Sequence, residues 1–82
     1  MSYKILPTVE FSKDFRKLDK HFSEQIKRKI EAVAADPERY KRLHYDLSGS
    51  CRLRIGKLRV VFSYDTDKGE LYLEKIVFGH RY

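Results

Sequence analysis

The feature that most constrains the fold is a pair of alternating polar and apolar runs on either side of Gly56-Lys57. Residues 52–55 read Arg-Leu-Arg-Ile, and every second residue from Leu58 to Tyr64 is apolar or aromatic. A period of two is typical of strands with one buried face, and a two-residue link beginning with glycine favours a type II′ hairpin turn. The sequence therefore predicts a β-hairpin whose register is set by this turn.

That register places three arginines on one face of the hairpin. It pairs Arg54 with Arg59 and Arg52 with Val61. The apolar side chains then share the core face: Leu53, Ile55, Leu58, Val60 and Phe62. Two arginines directly opposite each other across strands destabilise a sheet by up to about 1 kcal/mol, so folding alone does not favour this pairing. Three guanidinium groups on one face can instead grip an anion through paired hydrogen bonds.

The excess positive charge of the chain is concentrated around the same hairpin. The chain has 18 Lys and Arg residues against 12 Asp and Glu, a net charge of +6. The window from residue 41 to 59 holds six basic residues and one acidic residue, and Lys41, Arg42 and Lys57 are among the basic ones. Such a window is expected for a protein that binds nucleic acid or a strongly acidic partner. The alternative is a solvated face that confers only solubility, and charge alone does not separate RNA, DNA and acidic protein.

Helical periodicity fills the first half of the chain. Apolar residues recur at helical spacing within residues 11–18 and again within residues 22–33. Ser23 is the candidate N-cap of the second helix, and Asp36-Pro37 ends that helix because proline disfavours a helical residue before it. We therefore predict two amphipathic helices that pack on the hairpin.

Two further strands complete the predicted fold. Tyr3 and Ile5 fit a short first strand, and residues 71–78 are apolar on both faces except at Glu74 and Lys75, as expected of a central strand. The predicted order is β-α-α-β-β-β, an α+β fold with a small twisted, mainly antiparallel sheet. The length predicts one domain that spans residues 1–82.

The remaining composition excludes several classes of protein. No apolar run is long enough to cross a bilayer, and the N-terminal residues lack a signal-peptide layout, so we expect a cytoplasmic protein without membrane contact. A lone Cys51 forms no internal disulfide and is expected to be a small packed or partly exposed thiol. Three scattered histidines and one cysteine have no metal-ligand spacing, so neither a metal nor another cofactor is expected.

The C-terminal residues add acid–base chemistry. The last predicted strand runs directly into Gly79-His80-Arg81-Tyr82. Histidine, arginine and tyrosine can transfer protons or stabilise charge, although a terminal group of this kind is usually a polar tail. If the last strand lies beside the hairpin, these side chains can reach the arginines.

The sequence resembles the RelE/ParE superfamily of bacterial and archaeal type II toxins. Residues 47–62, LSGSCRLRIGKLRVVF, look like the signature L-x-G-x-Y-R-x-R-x-G-x-Y-R-[VL]-x-Y. His80-Arg81-Tyr82 looks like the His-Tyr terminus of the YoeB type and the His-Arg segment of RelE. The resemblance covers nearly the whole chain. It implies a small antiparallel sheet packed by two helices, and a RelB-like antitoxin, acidic and helical, that wraps the toxin as in a heterotetramer.

The resemblance also implies an activity. RelE-like members cleave mRNA on the ribosome, whereas ParE-like members poison DNA gyrase, and a decayed member would only bind its antitoxin. The hairpin arginines and the His-Arg-Tyr terminus favour the ribonuclease, because gyrase-directed branches need neither. The expected activity is therefore metal-independent endonucleolytic cleavage of mRNA, with the substrate 2′-hydroxyl as nucleophile and inhibition of translation as the outcome.

The resemblance assigns site residues by position. Arg59 stands at the arginine that stabilises the scissile phosphate, and Arg81 at a family arginine or histidine. The expected catalytic residues are Arg59, His80, Arg81 and Tyr82. The expected RNA-binding residues are Lys41, Arg42, Arg52, Arg54 and Lys57.

The general base is left open by the resemblance. The acidic base of YoeB-like members has no counterpart, because Lys41 stands at the nearest aligned position. Arginine is too basic for this role, since its pKa exceeds about 12. The candidates are His80, Tyr82 and His44, of which His44 is expected to lie on a surface loop.

Overall fold

The order of the elements places the helices before the hairpin. The computed structural model describes residues 2–44 and 50–78, with the backbone alone for residues 41–44. The elements in this part of the chain are β1 (Lys4–Pro7), α1 (Val9–Arg16), α2 (Lys20–Ala35), α3 (Pro37–His44), β2 (Cys51–Ile55), β3 (Leu58–Asp65) and β4 (Glu70–Phe78). The predicted α+β class is confirmed. No helix in the described ranges is long and apolar enough to cross a membrane.

The four strands form one sheet in the order β1-β4-β3-β2. β1 runs parallel to β4, and the other two pairs are antiparallel. The last strand therefore lies inside the sheet, as its two-sided apolar content predicted, and it borders the hairpin. The prediction of a mainly antiparallel sheet is also confirmed.

The hairpin has the predicted register. Arg54 pairs with Arg59, and Arg52 pairs with Val61. Gly56 in the turn has φ +60°, a conformation that side-chain-bearing residues rarely adopt. An added Cβ would meet no atom within 4 Å, so this position requires glycine for its backbone conformation and not for lack of space.

A third helix was missing from the prediction. Asp36 leaves the helical region at φ −158° and ψ 77° and ends α2, as expected. Pro37 then begins α3 at the first helical position, where its fixed φ fits and its missing N–H is not needed. Pro37 is itself buried, which holds the corner between the helices. His44 is consequently the last residue of a helix, and its predicted place on a loop is wrong.

The second helix also begins earlier than predicted. Asp19 is its N-cap and accepts a hydrogen bond from the backbone N–H of Phe22 at 3.0 Å. Ser23 lies inside the helix, where its hydroxyl donates to the carbonyl of Lys20 at 3.1 Å. Aspartate and serine cap helices equally well, so residue type alone did not separate them.

The helices pack on one face of the sheet. Their buried residues meet those of the sheet in a core made of Phe11, Ile26, Ile30, Val33, Ala34, Cys51, Leu53, Ile55, Leu58, Val60, Phe62, Leu71, Leu73 and Ile76. The predicted core face of the hairpin is fully represented in this set. Cys51 is a packed thiol with 1% of its surface exposed, as expected.

A β-bulge interrupts β4 at Glu74. Val61 of β3 pairs with Lys75, whereas the next residue, Phe62, pairs with Leu73. Glu74 is therefore an extra residue in β4 with no partner across the strand pair.

The N-terminus of α1 holds this bulge in place. Thr8 donates its hydroxyl to the carbonyl of Glu74 at 2.7 Å and accepts from the backbone N–H of Phe11 at 3.1 Å, so it also caps α1. The N–H of Ile76, on the other side of the bulge, donates to Asp14 Oδ2 at 3.2 Å. Backbone groups that the bulge frees from the ladder are thus satisfied by α1.

We expect Thr8→Val to destabilise the protein by about 1–2 kcal/mol, because the change removes the helix cap and a hydrogen bond to the bulge. Urea unfolding followed by circular dichroism measures this. The matched control is Thr66→Val in the exposed turn after β3, which should change the free energy of unfolding by less than about 0.5 kcal/mol. Equal losses in the two variants would contradict the role of Thr8.

Candidate functional site

The sheet face opposite the helices carries the basic residues of the hairpin, and we call it the arginine face. Arg52 and Arg54 are exposed on it, and Arg59 is partly exposed. None of these three arginines belongs to the described core cluster. The face is therefore open to a ligand in the part of the chain that the structure describes.

The side chains of the arginine face lie in rows across the strands. Arg54 of β2 lies opposite Arg59 of β3, and the next row joins Arg52, Val61 and the exposed Lys75 of β4. Rows on one face of a sheet are about 7 Å apart, and neighbouring strands are about 4.8 Å apart. Four cationic side chains therefore rise from a patch small enough to surround one phosphate group.

Val61 forms the floor of this patch. It has 5% of its surface exposed, yet it does not belong to the core cluster on the helix side. Its burial arises on the arginine face, between the strands that carry Arg52 and Lys75. This apolar residue therefore lies beneath the side chains of its neighbours on the arginine face.

A carboxylate borders the basic patch. Glu74 accepts hydrogen bonds from Ser63 Oγ at 2.7 Å and from Ser50 Oγ at 3.2 Å. Ser63 follows Val61 on the same face of β3, so this carboxylate lies one row beyond the Arg52 row. Glu74 is only partly exposed, so water has limited access to these two hydrogen bonds.

The far end of the same face is acidic. Tyr72 donates its hydroxyl to Glu70 Oε1 at 2.6 Å. This hydrogen bond, followed by partial desolvation and the negative charges of Glu70 and Asp65, raises the pKa of Tyr72 to about 12. Tyr72 therefore remains protonated at neutral pH and is unsuited to act as a base. The charge on the arginine face runs from basic near the hairpin turn to mixed at the Asp65 end, where Glu70 pairs with both Asp65 and Lys4.

The structure brings some of the predicted site residues together. Arg52, Arg54 and Arg59 share a face as expected, and Lys57 is exposed in the adjoining turn. Lys41 and Arg42 lie in α3, and the predictions for their side chains fall outside the described part of the structure. The predictions for His80, Arg81 and Tyr82 also lie outside the described residues. β4 ends at Phe78, paired with Leu58, so its last described residue adjoins the hairpin turn.

Sequence reasoning did not identify Glu74 and Lys75 as site residues. The two appeared only as polar interruptions of an apolar strand. Two consecutive polar residues between Leu73 and Ile76, both buried, are what a bulge would produce, and that pattern was the available signal.

A groove on the helix side has a different character. It encloses about 450 Å³ and is lined mainly by apolar side chains, among them Ile5, Phe11, Phe15 and Ile30. It contains none of the hairpin arginines, so the arginine face and not this groove is the candidate site for chemistry. Among the described side chains, no three His, Cys, Asp or Glu residues are grouped so as to hold a metal ion.

The chain matches one family model over most of its length. Residues 5–81 match the family model described as the ParE toxin of the type II toxin–antitoxin system parDE. A search of curated proteins found no match.

Among solved structures, the chain is similar to three that contain a RelE protein, two from Escherichia coli and one from an archaeon. The isolated RelE toxin of Escherichia coli is 20% identical, with a TM-score of 0.83 over 99% of this chain and 88% of that one. The toxin–antitoxin complex RelBE of E. coli matches with 20% identity and a TM-score of 0.82, over 98% and 100% of the two chains. The archaeal RelE–RelB complex of Pyrococcus horikoshii matches with 17% identity and a TM-score of 0.82 over the whole of both chains. At this identity the likeness shows the shared fold.

We expect Arg54→Thr to stabilise the protein by up to about 1 kcal/mol, because it removes the like charge opposite Arg59 and adds a good strand former. Urea unfolding at low and high salt measures this, and the gain should shrink at high salt as the repulsion is screened. The control Arg54→Lys keeps the charge and should leave stability nearly unchanged. A loss of stability in Arg54→Thr would contradict the repulsion.

We expect the phenol of Tyr72 to titrate near pH 12 in NMR of its ring carbons. Because the folded-state pKa lies above the ordinary value of 10, the hydrogen bond contributes fully below pH 10 and is lost as the pH rises through about 12. Glu70→Gln should lower the midpoint by removing the neighbouring charge. A wild-type midpoint near 10 would show that the hydrogen bond does not form in solution.

Proposed function

Since the chain belongs to the ParE toxin family of type II toxin–antitoxin systems, we propose that it acts as a ribosome-dependent endoribonuclease that cleaves mRNA and arrests translation. The observation that carries this proposal is the arginine face, where Arg52, Arg54 and Arg59 are gathered on the side of the sheet opposite the helices. The like charges of Arg54 and Arg59 repel each other and lower the stability of the sheet. Binding of a ligand with high negative charge would explain why the two arginines are placed there.

The proposed reaction needs no metal. The 2′-oxygen of one ribose attacks the adjacent phosphorus, the bond from phosphorus to the 5′-oxygen of the next nucleotide breaks, and a 2′,3′-cyclic phosphate and a 5′-hydroxyl remain. Arg59 and Arg52 hold the phosphate above Val61 and balance the charge that develops on its oxygens. Lys41, Arg42, Arg54 and Lys57 contact neighbouring phosphates of the RNA.

The C-terminal residues complete the proposed site. Arg81 stabilises the leaving group, and His80 or Tyr82 transfers a proton. Support comes from the end of β4 at Phe78, which adjoins the hairpin turn and directly precedes these residues in the chain. The ribosome supplies much of the substrate positioning, so cleavage of free RNA should be weak.

We also propose a RelB-like antitoxin as partner, in the cytoplasm. An acidic helical segment suits the arginine face, and cover by such a segment would exclude mRNA. The solved structures similar to this chain include the E. coli RelBE and the archaeal RelE–RelB complexes, which supports a partner of this kind.

One observation favours a second function. The matching family model is that of ParE toxins, and the family resemblance links such toxins to inhibition of DNA gyrase. A gyrase inhibitor would produce DNA breaks and an SOS response without new mRNA 5′ ends. A decayed toxin would cause no growth arrest while still binding an acidic antitoxin.

We expect Arg59→Ala to lower the rate of mRNA cleavage by about 10²–10³-fold, because one donor to the phosphate is lost. Wild type, Arg59→Ala and a deletion of Tyr82 are induced in a bacterial culture, and mRNA 5′ ends are mapped. Arg28→Ala, on the exposed side of α2, is the matched control and should cleave like wild type.

Two results would contradict the ribonuclease proposal. Growth arrest with DNA breaks and no new mRNA ends would assign the chain to gyrase inhibition. Unchanged mRNA cleavage in both Arg59→Ala and the Tyr82 deletion would show that the arginine face and terminus are not the site.

A further inference from the structure

We propose that Glu74 is the proton acceptor for the attacking 2′-hydroxyl, the role for which the family resemblance supplies no acidic residue. The inference rests on the proposed ribonuclease function and assigns a further catalytic residue to the same site. It depends on the bulge in β4, which became visible only in the folded chain.

The bulge is what directs this carboxylate toward the arginines. In a regular strand Glu74 and Lys75 would point to opposite faces, and one of them would enter the core. The extra residue instead leaves both on the arginine face, between Leu73 and Ile76, which are buried in the core. The hydrogen bond from Thr8 to the carbonyl of Glu74 fixes this orientation from the helix side.

The two serines hold the carboxylate and leave it able to react. Ser63 donates to Oε2 and Ser50 to Oε1, at 2.7 and 3.2 Å. Each carboxylate oxygen can accept two hydrogen bonds, so each retains capacity for a proton from substrate. A side chain held on both oxygens is pre-positioned, as a general base has to be.

The rows of the arginine face place this carboxylate on one side of the phosphate. A phosphate held above Val61 by Arg52 and Arg59 lies about one row, 7 Å, from the row of Ser63. The attacking oxygen of the preceding ribose sits about 3–3.5 Å from phosphorus, on the side toward Glu74. The leaving 5′-oxygen then points away from Glu74, toward the hairpin turn, where β4 ends at Phe78. Attack from the side of Glu74 with departure toward the hairpin turn is the in-line geometry that this displacement requires.

The other described groups on this face are less suitable. Tyr72 remains protonated, and Glu70 is hydrogen-bonded to it at the far end of the strand. The arginines are too basic to accept a proton. With Glu74 as the base, His80 or Tyr82 has the role of the acid that donates a proton to the leaving group.

The proton balance of the step is complete. The O–H bond of the 2′-hydroxyl breaks and its proton passes to a carboxylate oxygen of Glu74, while the 2′-oxygen forms its bond to phosphorus. The bond from phosphorus to the 5′-oxygen breaks, and that oxygen takes a proton from His80 or Tyr82. Exchange with water restores the charge of both groups.

The test compares two glutamates of the same strand and the same face. Full-length wild type, Glu74→Gln, Glu70→Gln and Arg59→Ala are assayed on 70S ribosomes programmed with a defined mRNA, under single- and multiple-turnover conditions. Glu74→Gln preserves the shape of the side chain and should lower kcat by about 10²–10⁴-fold with little change in KM, because the general base is lost. Glu70→Gln should retain the wild-type kcat.

A second variant separates a chemical role from a structural one. Glu74→Ala should be partly rescued by sodium formate, a small carboxylate that can occupy the vacated space, and not by sodium chloride at equal ionic strength. Thermal unfolding of each variant reports the folded fraction. A loss of activity that only parallels a loss of folded protein, without formate rescue, would overturn the proposal.

The remaining outcomes separate a failure of the proposed role of Glu74 from a failure of the ribonuclease proposal. A wild-type kcat in Glu74→Gln, together with inactive Arg59→Ala, would overturn the role of Glu74 and leave the ribonuclease intact. Absence of cleavage by the wild-type chain would overturn both.

Discussion

The hydrogen bond that Thr8 donates to the carbonyl of Glu74 is the interaction on which the arrangement of the sheet depends. The same hydroxyl caps α1, so the start of the helix and the bulge in β4 are held by one side chain. Asp14, nearly two turns further along α1, satisfies the N–H of Ile76 on the other side of the bulge. Because a bulge frees backbone groups from the ladder, it persists only where other partners replace the lost ones. The helix supplies those partners from the core side and so determines what the opposite face displays.

The arginine face shows a compromise between folding and binding. Arg54 and Arg59 oppose each other at a position where neutral side chains would be more favourable for folding. The core under the hairpin offsets this repulsion, because the neighbouring pair, Leu53 and Val60, is buried on the opposite face. A bound phosphate would convert the repulsion into shared attraction, since each guanidinium then interacts with an anion instead of a like charge. The same potential would attract an acidic antitoxin, which is consistent with one surface serving both ligands in a small toxin.

Much of the fold could be predicted from local patterns. The hairpin register follows from the turn at Gly56 and the period-two alternation, and the central position of β4 follows from its two apolar faces. The prediction was incomplete where two signals of equal strength competed. Pro37 reads as the end of one helix and is also the first residue of the next. Asp19 and Ser23 are both competent caps, and the choice between them depends on which start buries the apolar stripe against the sheet.

The sequence by itself determined which face of the hairpin is basic, because side chains alternate strictly along a strand once the turn defines the register. It therefore determined the common face of Arg52, Arg54 and Arg59. Only the tertiary structure decided the position of Glu74, since a bulge forms where a distant element, here α1, satisfies the backbone it disrupts. No local pattern encodes a hydrogen bond between residues 66 positions apart. The hairpin arginines of the candidate site thus follow from local alternation, whereas the places of Glu74 and Lys75 follow from long-range packing.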